Sequence, residues 1–223
     1  MKKIKTLLVQ FETDLKLSQV PAFRGAIIEK VGRDNILFHQ HKTDRELLYA
    51  YPLIQYKTIG NKSAILCLGD GVDEIHKLFN SSGWDINLKG ETIILKIDRL
   101  DLNNQLVNIW TEQLKYSIRN WVGLNSDNFK RYKEAETAKA RIDILEKILV
   151  ANILAFAKGI QWTIEKPIEL SINELIGQKQ IKYKGIPMVA FDIAFQCNVS
   201  LPNFIGLGKS ASHGFGILKK ISK

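Results

Sequence analysis

A glycine-rich segment close to the end of the chain constrains the fold most strongly. Two glycine pairs, Gly206 with Gly208 and Gly214 with Gly216, each enclose one apolar residue and flank a short polar stretch. Glycine has no Cβ, so it adopts positive φ and lets other groups approach its backbone closely. Exposed N–H groups in such a loop can bind an anion. The segment therefore predicts a tight loop suited to a phosphodiester backbone, with a hairpin that binds no ligand as the alternative.

Two common nucleotide-binding motifs do not fit this segment. Gly208-Lys209-Ser210 resembles the end of a P-loop, but Asn203 stands where that motif has its first glycine. A dinucleotide-binding fingerprint has two residues between its second and third glycines, whereas Gly208 and Gly214 are separated by five. Both nucleotide-binding classes are therefore excluded.

Composition indicates the kind of partner and the compartment. The chain has 223 residues, of which 45% are hydrophobic, enough for one large domain or two small ones. A net charge of +9 favours a polyanionic partner. Cys67 and Cys197 lie far apart and form no metal-binding pair, which indicates reduced thiols. Because no signal peptide or membrane-spanning stretch is evident, we expect a cytoplasmic protein.

The first half of the chain has the element order of a ferredoxin-like domain. Apolar patterning predicts a strand, a helix, two strands, a helix and a final strand region. These elements cover residues 4–11, 21–31, 47–51 with 53–59, 63–68, 72–80, and finally 84–88 with 92–97. The order β-α-β-β-α-β is that of ferredoxin-like and RNA-recognition (RRM-like) folds. We therefore predict an N-terminal domain over residues 1–100.

The second half resembles a degenerate copy of the same domain. Residues 107–122 fit a strand or a helix, and residues 128–158 predict one long helix with an apolar stripe. Strands are predicted over residues 160–164, 179–183, 189–199 and 217–221. The predicted fold is thus α+β, with two tandem ferredoxin-like domains, the second spanning 101–223 and carrying the glycine-rich loop.

The glycine pairs near the end of a basic chain of this size resemble those of CRISPR-associated endoribonucleases that process repeat RNA. These enzymes belong to the RAMP superfamily, and the segments 23–27 and 51–57 are similar to their N-terminal half. The resemblance implies CRISPR repeat RNA as the partner, and it is compatible with a homodimer or with other CRISPR effector subunits. The residues expected to contact RNA are Arg24, Gly206, Gly208, Lys209, Ser210, His213, Gly214, Gly216, Lys219 and Lys220.

His39 and His41 are the strongest candidates for catalysis. They lie two residues apart and share a face if this segment is extended. One imidazole can take a proton from a ribose 2′-OH while another protonates the leaving 5′-oxygen, without a metal or cofactor. The products would be a 2′,3′-cyclic phosphate and a 5′-hydroxyl, as the resemblance also implies. Lys57 is predicted to stabilise charge on the phosphate, and Tyr56 to stack on a base or assist proton transfer.

Several alternatives remain open. The two histidines can be surface residues without a role, or half of a metal site, although one pair is an incomplete ligand set. The family usually has its catalytic histidine near the first helix, and residues 21–31 contain none. The principal alternative function is a non-catalytic RNA-binding subunit of a CRISPR effector complex. A third is an RNA-binding or tRNA-processing protein outside CRISPR systems.

Overall fold

A four-stranded sheet lies in each half of the chain. The computed structural model describes residues 1–39, 41–43, 46–47, 50–183 and 185–221. These residues form two compact units. The N-terminal unit comprises Lys3–Gln105 and Ser212–Gly214, and the C-terminal unit comprises Met1–Lys2, Leu106–Ala211 and Phe215–Lys223.

The N-terminal unit has a ferredoxin-like sheet. Its strands lie in the spatial order β4-β5-β1-β8, which is 2-3-1-4 when the four are counted along the chain. The elements are β1 (Lys2–Asp14), α1 (Val20–Val31), α2 (Ile36–His39), β2 (His41–Thr43), β3 (Glu46–Leu47), β4 (Ile54–Ile59), β5 (Lys62–Leu68), α3 (Asp70–Glu74), α4 (His76–Phe79), β6 (Asp85–Leu88), β7 (Glu91–Ile94) and β8 (Ile97–Val107).

Helix α1 packs its apolar face on this sheet. Proline occupies its first turn, and Gly32 ends it with a φ of 91°, so the predicted bounds are confirmed. The ring of Phe23 lies 6.1 Å from that of Phe11 and 6.2 Å from that of Tyr56 between centroids. These edge-to-face contacts fix α1 across β1 and β4.

The C-terminal unit repeats the sheet order. Its strands run β10-β11-β9-β12, again 2-3-1-4 along the chain. The elements are β9 (Ile109–Trp121), α5 (Ser126–Glu134), α6 (Ala138–Gly159), β10 (Leu170–Tyr183), β11 (Ile186–Val199) and β12 (Ile217–Lys220). Between β11 and β12, where a complete ferredoxin-like domain has its second helix, the described residues form the glycine-rich segment without a helix. The prediction of two ferredoxin-like domains is confirmed.

Two predictions of local structure in this unit are wrong. The single helix over residues 128–158 is two helices, because Ala135 is extended and the side chain of Thr137 caps α6 by accepting from Ala140 N at 3.1 Å. The strand over residues 160–164 is absent from the described chain. Instead, Gln161 has a φ of 55° and Trp162 N donates to Ala157 O at 2.8 Å, so the chain turns back at the helix end.

The ambiguous stretch at residues 107–122 is a strand. It pairs antiparallel with β11, so that Tyr116 lies opposite Phe195 and Ile118 opposite Ile193. All four side chains are buried together with the apolar stripe of α6.

In the described part of the chain, no helix is both long and apolar enough to cross a membrane.

Candidate functional site

Part of the glycine-rich segment lies along the outer edge of the N-terminal sheet. Strand β4 is the terminal strand of that sheet. The backbone N–H of Tyr56 donates to Ser212 O at 3.3 Å, and Tyr56 forms a parallel β-bridge with His213. The segment thereby covers an edge whose backbone groups need partners and places His213 beside β4.

Gly214 allows this close approach. Its φ is 82°, and a Cβ there would lie 3.1 Å from Leu17 Cδ1 and 3.5 Å from Lys57 Cα. A larger residue would therefore be strained in conformation and would crowd β4. The imidazole of His213 is half-buried, and its Nδ1 lies 3.0 Å from Ser212 Oγ.

Arg24 links α1 to the end of α2 and to β4. Its Nη2 donates to the carbonyl oxygen of His39 at 2.6 Å, and its Cζ lies 5.9 Å from the centroid of the Tyr56 ring. The Tyr56 hydroxyl donates a longer hydrogen bond, 3.4 Å, to the carbonyl oxygen of Phe38. Arg24 and His39 are half-buried, so both border solvent, whereas Tyr56 is fully buried. We call Arg24, His39, Tyr56 and His213 the β4 cluster.

Burial sets the protonation of Tyr56. Removal from water raises the pKa of its phenol well above the ordinary value, and the guanidinium of Arg24 offsets this only in part. The side chain is therefore a neutral phenol at physiological pH. Its ring contacts the core of the N-terminal unit on one side and the Arg24 guanidinium on another, so it holds Arg24 in place.

Lys57 belongs to a hydrogen-bonded chain of polar groups on β4 and the residues before it. Its side chain is fully buried, and burial lowers its pKa to about 7. Lys57 Nζ donates to Gln55 Oε1 at 2.9 Å, and Gln55 Nε2 donates to the Tyr51 hydroxyl at 3.0 Å. Sequence analysis missed Gln55 and Tyr51 as members of this network. The signal for Gln55 was its spacing of two residues from Lys57, which puts both on one face of β4.

The extended conformation considered for the segment that holds His39 and His41 is wrong at His39. His39 is the last residue of α2, and its backbone N–H donates to Asn35 O at 3.2 Å. The sequence Asn35-Ile36-Leu37-Phe38 forms a turn in which Phe38 is buried and His39 is left at the border with solvent. The backbone of His41 begins β2, and its side chain lies outside the described residues. His39 and His41 therefore do not share the face of one strand.

The other three glycines of the segment lie in the C-terminal unit, where its own packing requires them. A Cβ on Gly208 would lie 2.8 Å from both Trp121 Nε1 and Val122 O, and the φ of Gly208 is 86°. On Gly206 it would lie 2.9 Å from Ala211 Cβ. At Gly216, with a φ of 63°, it would overlap the carbonyl oxygen of Leu207. These positions exclude other residues whether or not a ligand is bound.

Basic side chains accompany the segment in the C-terminal unit. Lys209, Lys219 and Lys220 are exposed, and Ser210 is half-buried with a φ of 58°. Lys209 N donates to Val122 O at 2.9 Å, which ties the loop to the end of β9. Within the described ranges, none of the three lysines forms an ion pair, so their charge is available to an anion.

Two ferredoxin-like units with a glycine-rich segment before the last strand define a protein of the RAMP fold. Models of the Cas6b N-terminal domain and of the Cas6b C-terminal domain match residues 2–118 and 108–221, respectively. The chain belongs to the Cas6b family.

Solved structures agree with this assignment. A crystal structure of a Cas6b aligns with a TM-score of 0.90 and 25% identity, covering 99% of this chain and 100% of that one. A Cas6b described as a CRISPR RNA processing endoribonuclease shares the fold, with a TM-score of 0.75, 24% identity and the same coverage. An uncharacterised protein of Methanocaldococcus jannaschii is 31% identical over 140 residues, which is 62% of this chain and 94% of that protein.

Proposed function

We propose that this protein is a metal-independent endoribonuclease that cleaves CRISPR precursor RNA within its repeats. Membership of the Cas6b family, the net charge of +9 and the β4 cluster support this function. The observation that carries the proposal is the hydrogen bond from Arg24 to the His39 carbonyl, because it holds the backbone of a half-buried histidine beside a guanidinium.

The reaction proceeds by attack of a ribose 2′-oxygen on the adjacent phosphorus. A histidine base removes the 2′-OH proton, the O2′–P bond forms, and the P–O5′ bond breaks. A second histidine donates a proton to the leaving 5′-oxygen, which leaves a 2′,3′-cyclic phosphate and a 5′-hydroxyl. His39 and His41 are assigned to these two roles. Since no atom changes its oxidation state in either step, the reaction needs no redox partner.

Arg24 stabilises the charge that develops on the phosphate. Its planar guanidinium is held by the His39 carbonyl at 2.6 Å and by the face of Tyr56. A cation fixed before the substrate arrives stabilises the pentacovalent phosphate without reorganising during the reaction. Arg24 thus has two tasks, contact with the phosphate and positioning of the His39 backbone.

Tyr56 and Lys57 hold other residues of the site in place and do not contact the RNA. Both side chains are fully buried, so Tyr56 presents no face on which a base could stack, and Lys57 presents no ammonium group to the phosphate, contrary to its predicted role. Tyr56 holds Arg24 and the end of α2 in place. Lys57, through Gln55 and Tyr51, keeps the polar face of β4 in order beside the Ser212–Gly214 segment.

The glycine-rich segment supplies RNA contacts on the C-terminal unit. Lys209, Lys219 and Lys220 bind backbone phosphates, and Ser210 and the glycine backbone add hydrogen-bond donors. Each lysine that neutralises a phosphate contributes about 0.7 to the slope of log affinity against log salt for single-stranded RNA. His213 contacts the same RNA, at the point where the glycine-rich segment pairs with β4.

A cleavage assay in excess EDTA tests the reaction. End-labelled repeat RNA is incubated with the protein, alongside a series of substrates that carry one 2′-deoxy nucleotide at each position in turn. We expect one discrete cut that a single deoxy substitution blocks, with a 2′,3′-cyclic phosphate on the upstream product. A cut that requires added Mg²⁺ would contradict the proposed chemistry. Tight binding with no cut would favour a non-catalytic RNA-binding subunit.

A further inference from the structure

The C-terminal unit contains a pocket that the cleavage reaction does not use. It has a volume of about 460 Å³ and lies between α5, α6, the end of β9 and the Gly208–Lys209 part of the glycine-rich segment. Pockets of roughly 300 to 1,000 Å³ are the size that holds a small ligand. All of its lining residues belong to the same compact unit.

The charge of this pocket is strongly positive. Arg131, Lys147 and Lys209 line it, and all three are exposed. No carboxylate lines it among the described residues, and none of the three cations has an ion-pair partner there. The carboxylate of Glu146, the residue before Lys147, accepts from Ile172 N at 2.8 Å. Three cations that line one pocket, with no carboxylate among its lining residues, favour an anionic ligand such as a phosphate.

Amide side chains add oriented donors. Trp121 Nε1 donates to Asn152 Oδ1 at 2.9 Å, and Asn128 N donates to Asn125 Oδ1 at 2.7 Å. An indole N–H and a backbone N–H can only donate, so the oxygen ends of both amides are fixed by these bonds. The amino ends of Asn152 and Asn125 are therefore left to donate to a ligand. This feature distinguishes the pocket from a chance grouping of surface lysines.

The rest of the pocket is small or apolar. Ile144, Ile148 and Ala151 follow one another at helical spacing along α6 and form an apolar wall. Gly208 lies so close to Trp121 that it tolerates no Cβ. The positive end of α5, which Asn125 caps, adds to the field in the pocket.

We propose that this pocket binds one nucleotide of the RNA. Arg131, Lys147 and Lys209 contact its phosphate, and the apolar wall of α6 contacts its base or ribose. Asn152 and Asn125 donate hydrogen bonds to phosphate or base oxygens. The proposal depends on the proposed function only in taking RNA as the ligand. It does not depend on cleavage.

Two pocket variants with matched controls test this site. Asn152→Asp keeps an acceptor for Trp121 but replaces the amino donor with a carboxylate, and Asn173→Asp makes the same change at an exposed position on β10. Lys147→Ala removes a pocket cation, and Lys139→Ala removes an exposed lysine from the same helix. Thermal unfolding establishes that each variant is folded.

The measurement is the affinity for repeat RNA that a 2′-deoxy substitution makes uncleavable, over a series of salt concentrations. We expect both pocket variants to weaken binding by about tenfold, the loss of one hydrogen bond to a charged group. Lys147→Ala should also lower the salt slope by about 0.7. Affinities within twofold of the controls would overturn the proposal. Binding of adenosine 5′-monophosphate that Asn152→Asp abolishes, with RNA affinity unchanged, would instead assign the pocket to free nucleotide and also overturn it.

Binding of the uncleavable RNA and cutting of the unmodified RNA together separate this site from the proposed nuclease. If the wild-type protein fails to cut cleavable RNA but Lys147→Ala still weakens binding, the pocket stands and the nuclease function fails. If the protein cuts and the pocket variants bind as the controls do, the nuclease function stands and the pocket proposal fails.

Discussion

Replacing Lys57 by methionine tests the physical account of the β4 strand. The lysine side chain is fully buried in the N-terminal unit, and burial lowers its pKa from the ordinary 10.5 to about 7. Methionine has a similar length and no charge, so it fills the same space without the cost of desolvating an ammonium group. The substitution also removes the hydrogen bond from Lys57 Nζ to Gln55 Oε1.

The direction of the pH effect follows from these two pKa values. Between pH 7 and pH 10.5 the unfolded chain keeps a proton on Lys57 that the folded protein has released, so stability rises with pH in this window. From pH 7 to pH 9 the gain is roughly 2 kcal/mol, and the cost of the buried lysine at pH 7 is roughly 4 kcal/mol. Leaving Gln55 Oε1 without this donor costs about 1 to 3 kcal/mol. We therefore expect Lys57→Met to be more stable than the wild type by about 2 kcal/mol at pH 7.

Urea unfolding of both proteins at pH 6, 7, 8 and 9 measures this difference. The advantage of Lys57→Met should be nearly constant from pH 6 to pH 7 and should shrink by roughly 2 kcal/mol between pH 7 and pH 9. Lys3→Met, at an exposed position of the same unit, is the control and should show no such trend. A difference that is independent of pH, or a variant less stable than the wild type at every pH, would refute the reasoning.

Three further predictions concern the glycine-rich segment, the β4 cluster and α6. Gly216→Ala should lower the free energy of unfolding by more than about 2 kcal/mol, because its Cβ overlaps Leu207 O at positive φ. Gly25→Ala, with nothing within 4 Å of its Cβ, should raise that free energy by about 1 kcal/mol. Equal effects in urea unfolding would contradict the packing argument. Tyr56→Phe removes only the 3.4 Å bond to Phe38, so single-turnover cleavage should fall less than about threefold, whereas Tyr56→Ala should cost about 3 to 5 kcal/mol of stability. A large loss of cleavage in a stable Tyr56→Phe would show that the hydroxyl has a chemical role. Thr137→Ala removes the N-cap of α6 and should lower the unfolding free energy by about 1 kcal/mol; no change would contradict the cap.

The periodicity of apolar residues and the positions of proline and glycine were enough to predict most of the fold. Proline in the first turn and Gly32 at the end bounded α1, and the alternation from Phe191 to Cys197 gave the buried face of β11. The break between α5 and α6 was missed because the surrounding residues favour helix. A single capping threonine within a helix-forming stretch is a weak signal, and it is the tertiary structure that selects it.

The sequence predicted several residues of the site but not how they contact one another. Arg24, Tyr56 and His213 were chosen for their chemical types, and the structure joins them in one cluster through contacts that span more than 150 residues of the chain. Burial was not predictable, since Tyr56 and Lys57 look like exposed strand residues until the Ser212–Gly214 segment is placed against β4. Non-local pairing of this kind leaves no local pattern in the sequence.

The central claim is that His39 in the β4 cluster takes part in cutting RNA. Its most direct test is the single-turnover cleavage rate of His39→Ala, with the protein in saturating excess over repeat RNA, compared with His76→Ala, which alters an exposed histidine of the same unit. The account predicts that His39→Ala slows cleavage at least about 100-fold with RNA affinity changed by no more than a few fold, and that His76→Ala cuts normally. Cleavage by His39→Ala at the wild-type rate would contradict it.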